Sequence, residues 1–513
     1  MRRLAHRQAG GKQFAQIRGA ETLRLRYVRT LNIEMRTTAA LWLLVLAAVV
    51  PPLLESSSLV FTHATIIDVR TGHIFQDQTI VITGDRITAL SPQAGIPADA
   101  EVVNATGKFV IPGLWDMHAH ALWSIDQIKR MFGLFLANGV TAIRDMGSPL
   151  PVDETLNWRT KVADGTVLGP RILTAGKLVD GPKPVWPDSV AVETEDQARK
   201  AVDTLHKDGV DFIKVYSRLP RLAYFAVAAE AKKDGLVYVG HVPIYISASE
   251  ASVAGQRSIE HLSELLFACS SDASDLRKQL IATAIGSERD RVRKEQMKVV
   301  ISTFSARKAM RLSRLFAKNN TWQVPTLLVQ YTYAFVNPYE LHDSPGVRYV
   351  PAGAVQGWID RLNSFRKTRD EEDMKAQKRS YELEIELVRM MHRSGVRFMT
   401  GTDAETFYPA GFGLHTELGL FVGAGFSSLE ALQAATLNPA VYFGRTKDFG
   451  TVEVGRLADL VILEANPLSD IRNTQRIAGV VTAGRYLDRQ KLDRLLSEAA
   501  GLSGKGELGN AGR

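Results

Sequence analysis

Two histidines separated by one residue close the stretch Trp115-Asp116-Met117-His118-Ala119-His120. The stretch follows an apolar run, Phe109-Val110-Ile111, and a break at Pro112-Gly113. Alternate residues of a strand face the same way, so a strand from Leu114 to His120 would aim both imidazoles at one point. Imidazole is a favoured ligand for zinc and similar ions. Alone, a His-x-His pair reads equally well as a packed core pair. Four residues far downstream change that balance: Lys214, His241, His261 and Asp403. Lys214 lies inside the apolar run Phe212-Ile213-Lys214-Val215-Tyr216. A buried ammonium is costly, and desolvation favours the neutral amine. A neutral amine can add carbon dioxide to give a carbamate, a carboxylate-like group able to bridge two metal ions. An ion pair with an acid across the fold is the alternative. His241 follows Val239-Gly240 and His261 follows Glu260; each alone reads as an ordinary core histidine. Asp403 stands in Thr400-Gly401-Thr402-Asp403-Ala404.

Other residues are candidates by position. Tyr216 is two residues after Lys214 and, on a strand, faces the same interior. It reads as a hydrogen-bond donor to a substrate carbonyl or as a core tyrosine. Arg144 ends a strand and could meet a substrate carboxylate bidentately, or form a structural ion pair with Asp145 or another acid. His415, twelve residues past Asp403, is expected to support the site or cap a helix. His206 is expected at the surface, and Cys269, the one cysteine, in the core. A single cysteine excludes an internal disulfide and a cysteine metal cluster.

These residues need strands to carry them. Short apolar strands and amphipathic helices alternate from Pro112 to about Gly444. Candidate strands run through Leu114–His120, Thr141–Asp145, Arg171–Thr174, Phe212–Tyr216, Tyr238–His241, Ser258–His261, Trp322–Thr326 and Val396–Thr400. Eight strands with helices between them predict a (β/α)8 barrel, an α/β fold whose active sites lie at the C-terminal strand ends. The six candidate ligands fall at those ends. Residues 270–320 and 340–390 are charged, helix-like and longer than ordinary connections, which suggests lids or partner surfaces. β-Branched segments separated by Gly turns occupy 57–112 and return at 445–500. Two β-rich ends around an α/β middle at 113–444 suggest one small β-sandwich assembled from both termini. The Gly-rich residues 501–513 read as a disordered tail.

The charge is uneven. Of the net +8, six positive charges lie in residues 1–34, which carry eight Arg/Lys against Glu21 and Glu34. The remainder is nearly balanced, so the chain carries no nucleic-acid footprint. A second methionine, Met35, opens a short charged start, an apolar run from Ala39 to Val50, and Pro51-Pro52. Residues 35–56 therefore read as a secretory signal, or an anchor, with 1–34 as an upstream extension and Met35 as the expected start. The expected location is periplasmic or secreted, with membrane contact only through this segment. The sequence leaves homo-oligomerisation open.

Taken together, the set His-x-His, Lys, His, His and Asp resembles the amidohydrolase superfamily in its binuclear, carboxylated-lysine form. The stretch from Phe109 to His120 is similar to that family's first-strand signature. So are Gly169-Pro170-Arg171-Ile172, Leu432 to Ala440, and Gly455-Arg456-Leu457-Ala458-Asp459-Leu460. The texture is closest to imidazolonepropionase-like members, which include metal-dependent Xaa-Pro dipeptidases. The resemblance implies two divalent metals, with zinc expected. His118, His120 and Asp403 would bind the more buried ion, His241 and His261 the more exposed one, with carboxylated Lys214 bridging. It implies hydrolysis of an amide C–N bond in a dipeptide or N-acyl amino acid, with Asp403 moving the proton. A cyclic-amide hydrolase uses the same ligands and stays an alternative. Lys214 argues against a mononuclear deaminase. A barrel that only binds would be expected to have lost ligands.

Overall fold

The computed structural model describes residues 58–503. The basic extension 1–34, the signal or anchor segment 35–56 and residues 504–513 lie outside the described residues. Residues 501–503 form the last turn of a helix, Arg489–Ser503, so the expected tail does not begin at 501. Among the described residues no helix is long and apolar enough to cross a membrane.

Both ends of the chain meet in one sheet. Leu59–Ile67, Ile74–Thr83, Arg86–Ser91, Glu101–Asn104 and Phe109–Pro112 supply five strands. Leu460–Leu463, Ile477–Thr482 and Arg485–Asp488 supply three more. Phe109–Pro112 is the seam. It pairs parallel with Leu59–Ile67 and antiparallel with Leu460–Leu463. Inward residues from both ends, among them Phe61, Ile80, Val110, Leu460 and Val481, make a separate apolar cluster. The expected β module is thus present as a single eight-stranded ladder with Glu101–Asn104 branching from Leu59–Ile67, rather than as two ladders facing each other.

The middle of the chain is α/β, with parallel strands. Leu114–Ala119, Val140–Asp145 and Arg171–Thr174 form one sheet. Val190–Ala191, Leu178–Asp180, Ile213–Val215, Tyr238–Gly240, Ser258–Glu260 and Trp322–Val324 form another. The two are joined at both sides. The Asp211 N–H donates to Thr174 O (2.9 Å), so Arg171–Thr174 and Leu178–Asp180 act as one broken third strand. On the other side the segment after Val396 takes the eighth place. It holds isolated parallel bridges, Gln323 with Phe398 and Ala119 with Ala404, where a continuous strand was expected. Besides its backbone bonds to the first strand, the segment is tied in by the Asp116 carboxylate, which accepts from Thr402 N–H (3.0 Å) and from the Thr402 hydroxyl.

The helices between strands carry ordinary signals. Glu195–Asp208 opens on a Thr194/Gln197 capping box and closes on Gly209 at φ +91°. The charged stretches resolve into two kinds. Ala306–Asn319 and Glu371–Arg393 lead straight into the seventh and eighth strands and are ordinary helices of the ring. The additions are the helices Leu265–Cys269, Ala273–Ala282 and Ser287–Ser302 and the segment 338–367, whose main element is the helix Ala352–Lys367.

Candidate metal centre

The six candidate ligands come to the same end of the parallel strands. Backbone bonds fix the strand ends to each other. Asp403 N–H donates to His118 O (2.7 Å), His120 N–H to Ala404 O (2.9 Å), His241 N–H to Val215 O (3.1 Å) and His261 N–H to Val324 O (3.0 Å). His118 Nε2 and His120 Nε2 each lie 3.5 Å from Asp403 Oδ1. The His118 and His261 rings are 4.4 Å apart, and the His241 and His261 rings 5.0 Å. His261 and Asp403 sit at φ +59° and +55°, a region non-glycine residues rarely occupy. Such strain, of order 1–3 kcal/mol each, collects at functional sites.

Each imidazole is held through Nδ1. His118 Nδ1 meets Glu260 Oε2 (3.0 Å), His120 Nδ1 meets Gly147 O (2.9 Å), His241 Nδ1 meets Ser217 Oγ (2.8 Å) and His261 Nδ1 meets Thr326 Oγ1 (2.7 Å). Four rings oriented this way leave Nε2 as the free nitrogen, the arrangement found behind metal-binding histidines. Burial keeps His118 and His241 far below the usual imidazole value and takes His261 down to about 4, so these rings are neutral ligands at neutral pH. Burial alone would raise Asp403, but His261, His118 and His120 outweigh it and hold the carboxyl well below its usual range.

Among the candidate ligands, two buried polar atoms have no hydrogen-bond partner: Lys214 Nζ and His241 Nε2. Lys214 does not form the ion pair that its sequence position also allowed. Burial, opposed by Glu260, pulls its ammonium down to about 8. Its stem needs Gly240: a Cβ there would stand 2.9 Å from Lys214 Cδ and 2.2 Å from Val215 O. Orphaned nitrogens beside three more imidazoles and a carboxylate are a donor set that fits divalent metal ions. His118, His120 and Asp403 bring their ligand atoms within 4.8 Å of one another.

Gly401 shows how tightly the eighth segment is drawn in. A Cβ there would meet His118 Cβ at 2.7 Å and Val324 Cγ1 at 2.6 Å. Gly401→Ala is therefore expected to push the Asp403 loop away from His118. It should lower stability by about 1–3 kcal/mol in denaturant titration and weaken metal retention on dialysis. Wild-type stability and metal content in that variant would contradict this packing.

The centre opens into a cavity of about 530 Å³. Tyr216 lines it and lies over His241 with ring centroids 4.0 Å apart. Its hydroxyl accepts from Trp186 Nε1 (3.1 Å), which leaves its own proton free to donate. Burial pushes this phenol up to about 12, so the proton stays in place at neutral pH. Trp186 packs edge to face on Trp123, 6.2 Å away, at the cavity rim.

Arg144 corrects the sequence-based expectation of substrate contact. It is fully buried and does not line the cavity. Its Nη2 donates to both oxygens of Glu260 (2.9 and 2.8 Å), and Nε donates to Met117 O (2.6 Å). Arg144 thus fixes Glu260, which fixes His118. Asp145, named as its possible partner, instead accepts from Ala121 N–H and Thr174 Oγ1. Removing one side of a buried charge pair costs about 3–5 kcal/mol. Arg144→Met should lose that much in denaturant titration, and an unchanged midpoint would overturn the role. His415 binds Thr474 Oγ1 (3.0 Å) and lies away from the cavity. His206 is exposed and Cys269 is buried, as expected.

The profile of the amidohydrolase family matches residues 109–487. The chain belongs to the amidohydrolase family. Its members fold as (β/α)8 barrels, hydrolyse C–N bonds and typically use metal ions, which agrees with the strand order and donor set above. Among curated proteins, imidazolonepropionase of Deinococcus radiodurans is 36% identical over 57 residues, 11% of this chain. A second imidazolonepropionase, from Streptomyces griseus, matches similarly over 56 residues. These matches span 14% of the curated relatives' own length. Among solved structures, a candidate prolidase from Bifidobacterium longum is 25% identical with TM-score 0.62, covering 87% of this chain and 99% of that one. A Xaa-Pro dipeptidase with bound methionine (20%, TM-score 0.60, 84% and 100%) and the bottromycin amidohydrolase (23%, TM-score 0.68, 87% and 90%) share the fold.

Proposed function

We propose that this amidohydrolase hydrolyses the amide bond of a dipeptide or N-acyl amino acid at a two-metal centre, with zinc as the metal. The observation that carries the reading is the pair of orphaned buried nitrogens, Lys214 Nζ and His241 Nε2, beside rings each fixed through Nδ1. His118, His120 and Asp403 would hold one ion, and His241 and His261 the other. Lys214 would bridge them after its amine adds to carbon dioxide, forming an N–C bond and releasing one proton. Bound there, divalent ions supply Lewis acidity toward a carbonyl and bring the pKa of water from 15.7 toward about 7.

The chain's own groups do the rest. Asp403 Oδ1, between the His118 and His120 nitrogens, takes a proton from the attacking water and passes it to the leaving nitrogen. The Tyr216 hydroxyl donates a hydrogen bond to the carbonyl oxygen as charge develops on it, keeping its proton. The buried Arg144–Glu260 pair holds the His118 ring while this happens. A cyclic-amide substrate would use the same groups, and the brief likeness to imidazolonepropionases supports that second reading. Export through the Met35–Pro52 segment is part of the proposal, and the mass of the native N-terminus tests it.

The deciding experiment is turnover. Protein loaded with zinc and bicarbonate would be offered Xaa-Pro and other dipeptides, N-acyl amino acids and small lactams. Bound metal would be counted by mass spectrometry. Two ions per chain with cleavage of the open-chain amides is expected. Cleavage of lactams alone would favour the second reading. No bound metal and no cleavage would leave a barrel that only binds.

A further inference from the structure

The helix Ala352–Lys367 is an addition to the ring, and its Arg361 lines the metal cavity. Trp358 fixes it there. The indole Nε1 donates to Glu405 O (3.0 Å), two residues beyond Asp403, and the ring packs with Val355, Ile359 and Phe407. The Glu405 carboxylate is gripped from the other side by Arg130 Nη1 and Nη2 (2.7 and 2.6 Å). The loop after Asp403 is thus clamped between a ring helix and the added helix. Arg361 is three residues past Trp358, which puts it on the same helix face. It lines the cavity with Tyr216 and Tyr333, and its charge is felt by both phenols.

Arg361 differs from its neighbours. Arg130 is paired with Glu405, Arg366 donates to Val336 O, and Arg369 donates to Phe365 O while covering that ring. Arg361 has no hydrogen bond or ion pair among the described residues. Of the three acids that line the cavity, Glu405 is committed to Arg130 and Asp403 to the histidines, while Asp188 is exposed and forms no ion pair with Arg361. A permanently charged planar fork, exposed and unpaired, at a cavity it shares with the metal-binding rings, Tyr216 and Tyr333, is suited to a carboxylate brought in by the substrate.

We infer that Arg361 anchors a free α-carboxylate on the leaving-group side of the scissile amide. The site then takes N-acyl amino acids and dipeptides with a free C-terminus, and discriminates against their carboxamides and against internal peptide bonds. This rests on the amide-hydrolase reading. It gives the added helix the substrate-binding task that buried Arg144 cannot perform.

Two measurements separate the anchor from the hydrolase. The first is calorimetric binding of N-methanesulfonyl-L-phenylalanine and its carboxamide to the full-length, zinc-loaded protein. The sulfonamide resists hydrolysis, so binding is read without turnover. The acid is expected to bind about 10- to 100-fold tighter than the amide. Arg361→Met should bring the ratio to within about twofold, Arg361→Lys should keep part of it, and added salt should shrink it in wild type. The second is acetate release from N-acetyl-L-phenylalanine and N-acetyl-L-phenylalaninamide, where the same ratio should appear in kcat/KM. Equal binding of acid and amide, a preference that survives Arg361→Met, or binding of neither compound would overturn the inference. The binding preference without release of acetate would keep the anchor and overturn the hydrolase.

Discussion

Asp403→Asn is expected to lower kcat by about 10³-fold or more while leaving thermal unfolding nearly unchanged. The substitution keeps the size and shape of the side chain. The contact from Thr406 Oγ1 (3.0 Å) and the backbone bond to His118 O can both persist. What is lost is the carboxylate oxygen that lies 3.5 Å from two imidazole nitrogens and would carry the proton from water to the leaving amine. Steady-state kinetics with metal analysis on the same sample checks this. Metal retained with activity lost assigns proton transfer to Asp403. Metal and activity lost together would make it chiefly a ligand, and full activity would place the base elsewhere.

Lys214→Met is the second large effect. Methionine fills the buried stem but offers no nitrogen to carbon dioxide. The variant is expected to keep the fold, hold its metals at least about 10-fold more weakly, and lose kcat by two or more orders of magnitude. Wild-type protein stripped of carbon dioxide should share the metal defect and recover when bicarbonate is added. The variant should not respond to bicarbonate. Two tightly held ions in Lys214→Met, indifferent to bicarbonate, would sink the bridging carbamate and return Lys214 to the role of a buried amine awaiting an acid.

The sequence made the strand ends legible because period-two alternation also sets direction. His118 and His120 share a face, as do Lys214 and Tyr216, and both pairs point into the site. For Arg144 the sequence leaves open a substrate carboxylate or an ion pair with Asp145 or another acid, and the structure shows the ion pair, with Glu260. A charged residue ending a strand says that it is near the mouth, but not what waits across the barrel. What waits there is Glu260, whose carboxylate meets both Arg144 and His118. Asp116 could have been found from its place two residues before His118, on the same face. Arg361 had no local signal at all. Its position depends on Trp358 reaching a carbonyl in a loop nearly fifty residues downstream in the chain, which no pattern within one helix encodes. The charged inserts were visible as charge and length, but the division between ring helices and additions needed the strands they lead into.

The seam strand has a consequence for how the chain is made. Phe109–Pro112 pairs on one edge with Leu59–Ile67, available early, and on the other with Leu460–Leu463, available last. On a ribosome adding ~5–20 residues per second, the roughly 350 residues between these partners take on the order of 20–70 s to emerge. Throughout that time the seam presents an unpaired, apolar β edge directly ahead of the first metal-binding strand. The nascent chain is therefore a natural client for a chaperone that covers strand edges, and termination between Asp403 and Leu460 would yield a product with all six candidate ligands and an open, adhesive flank.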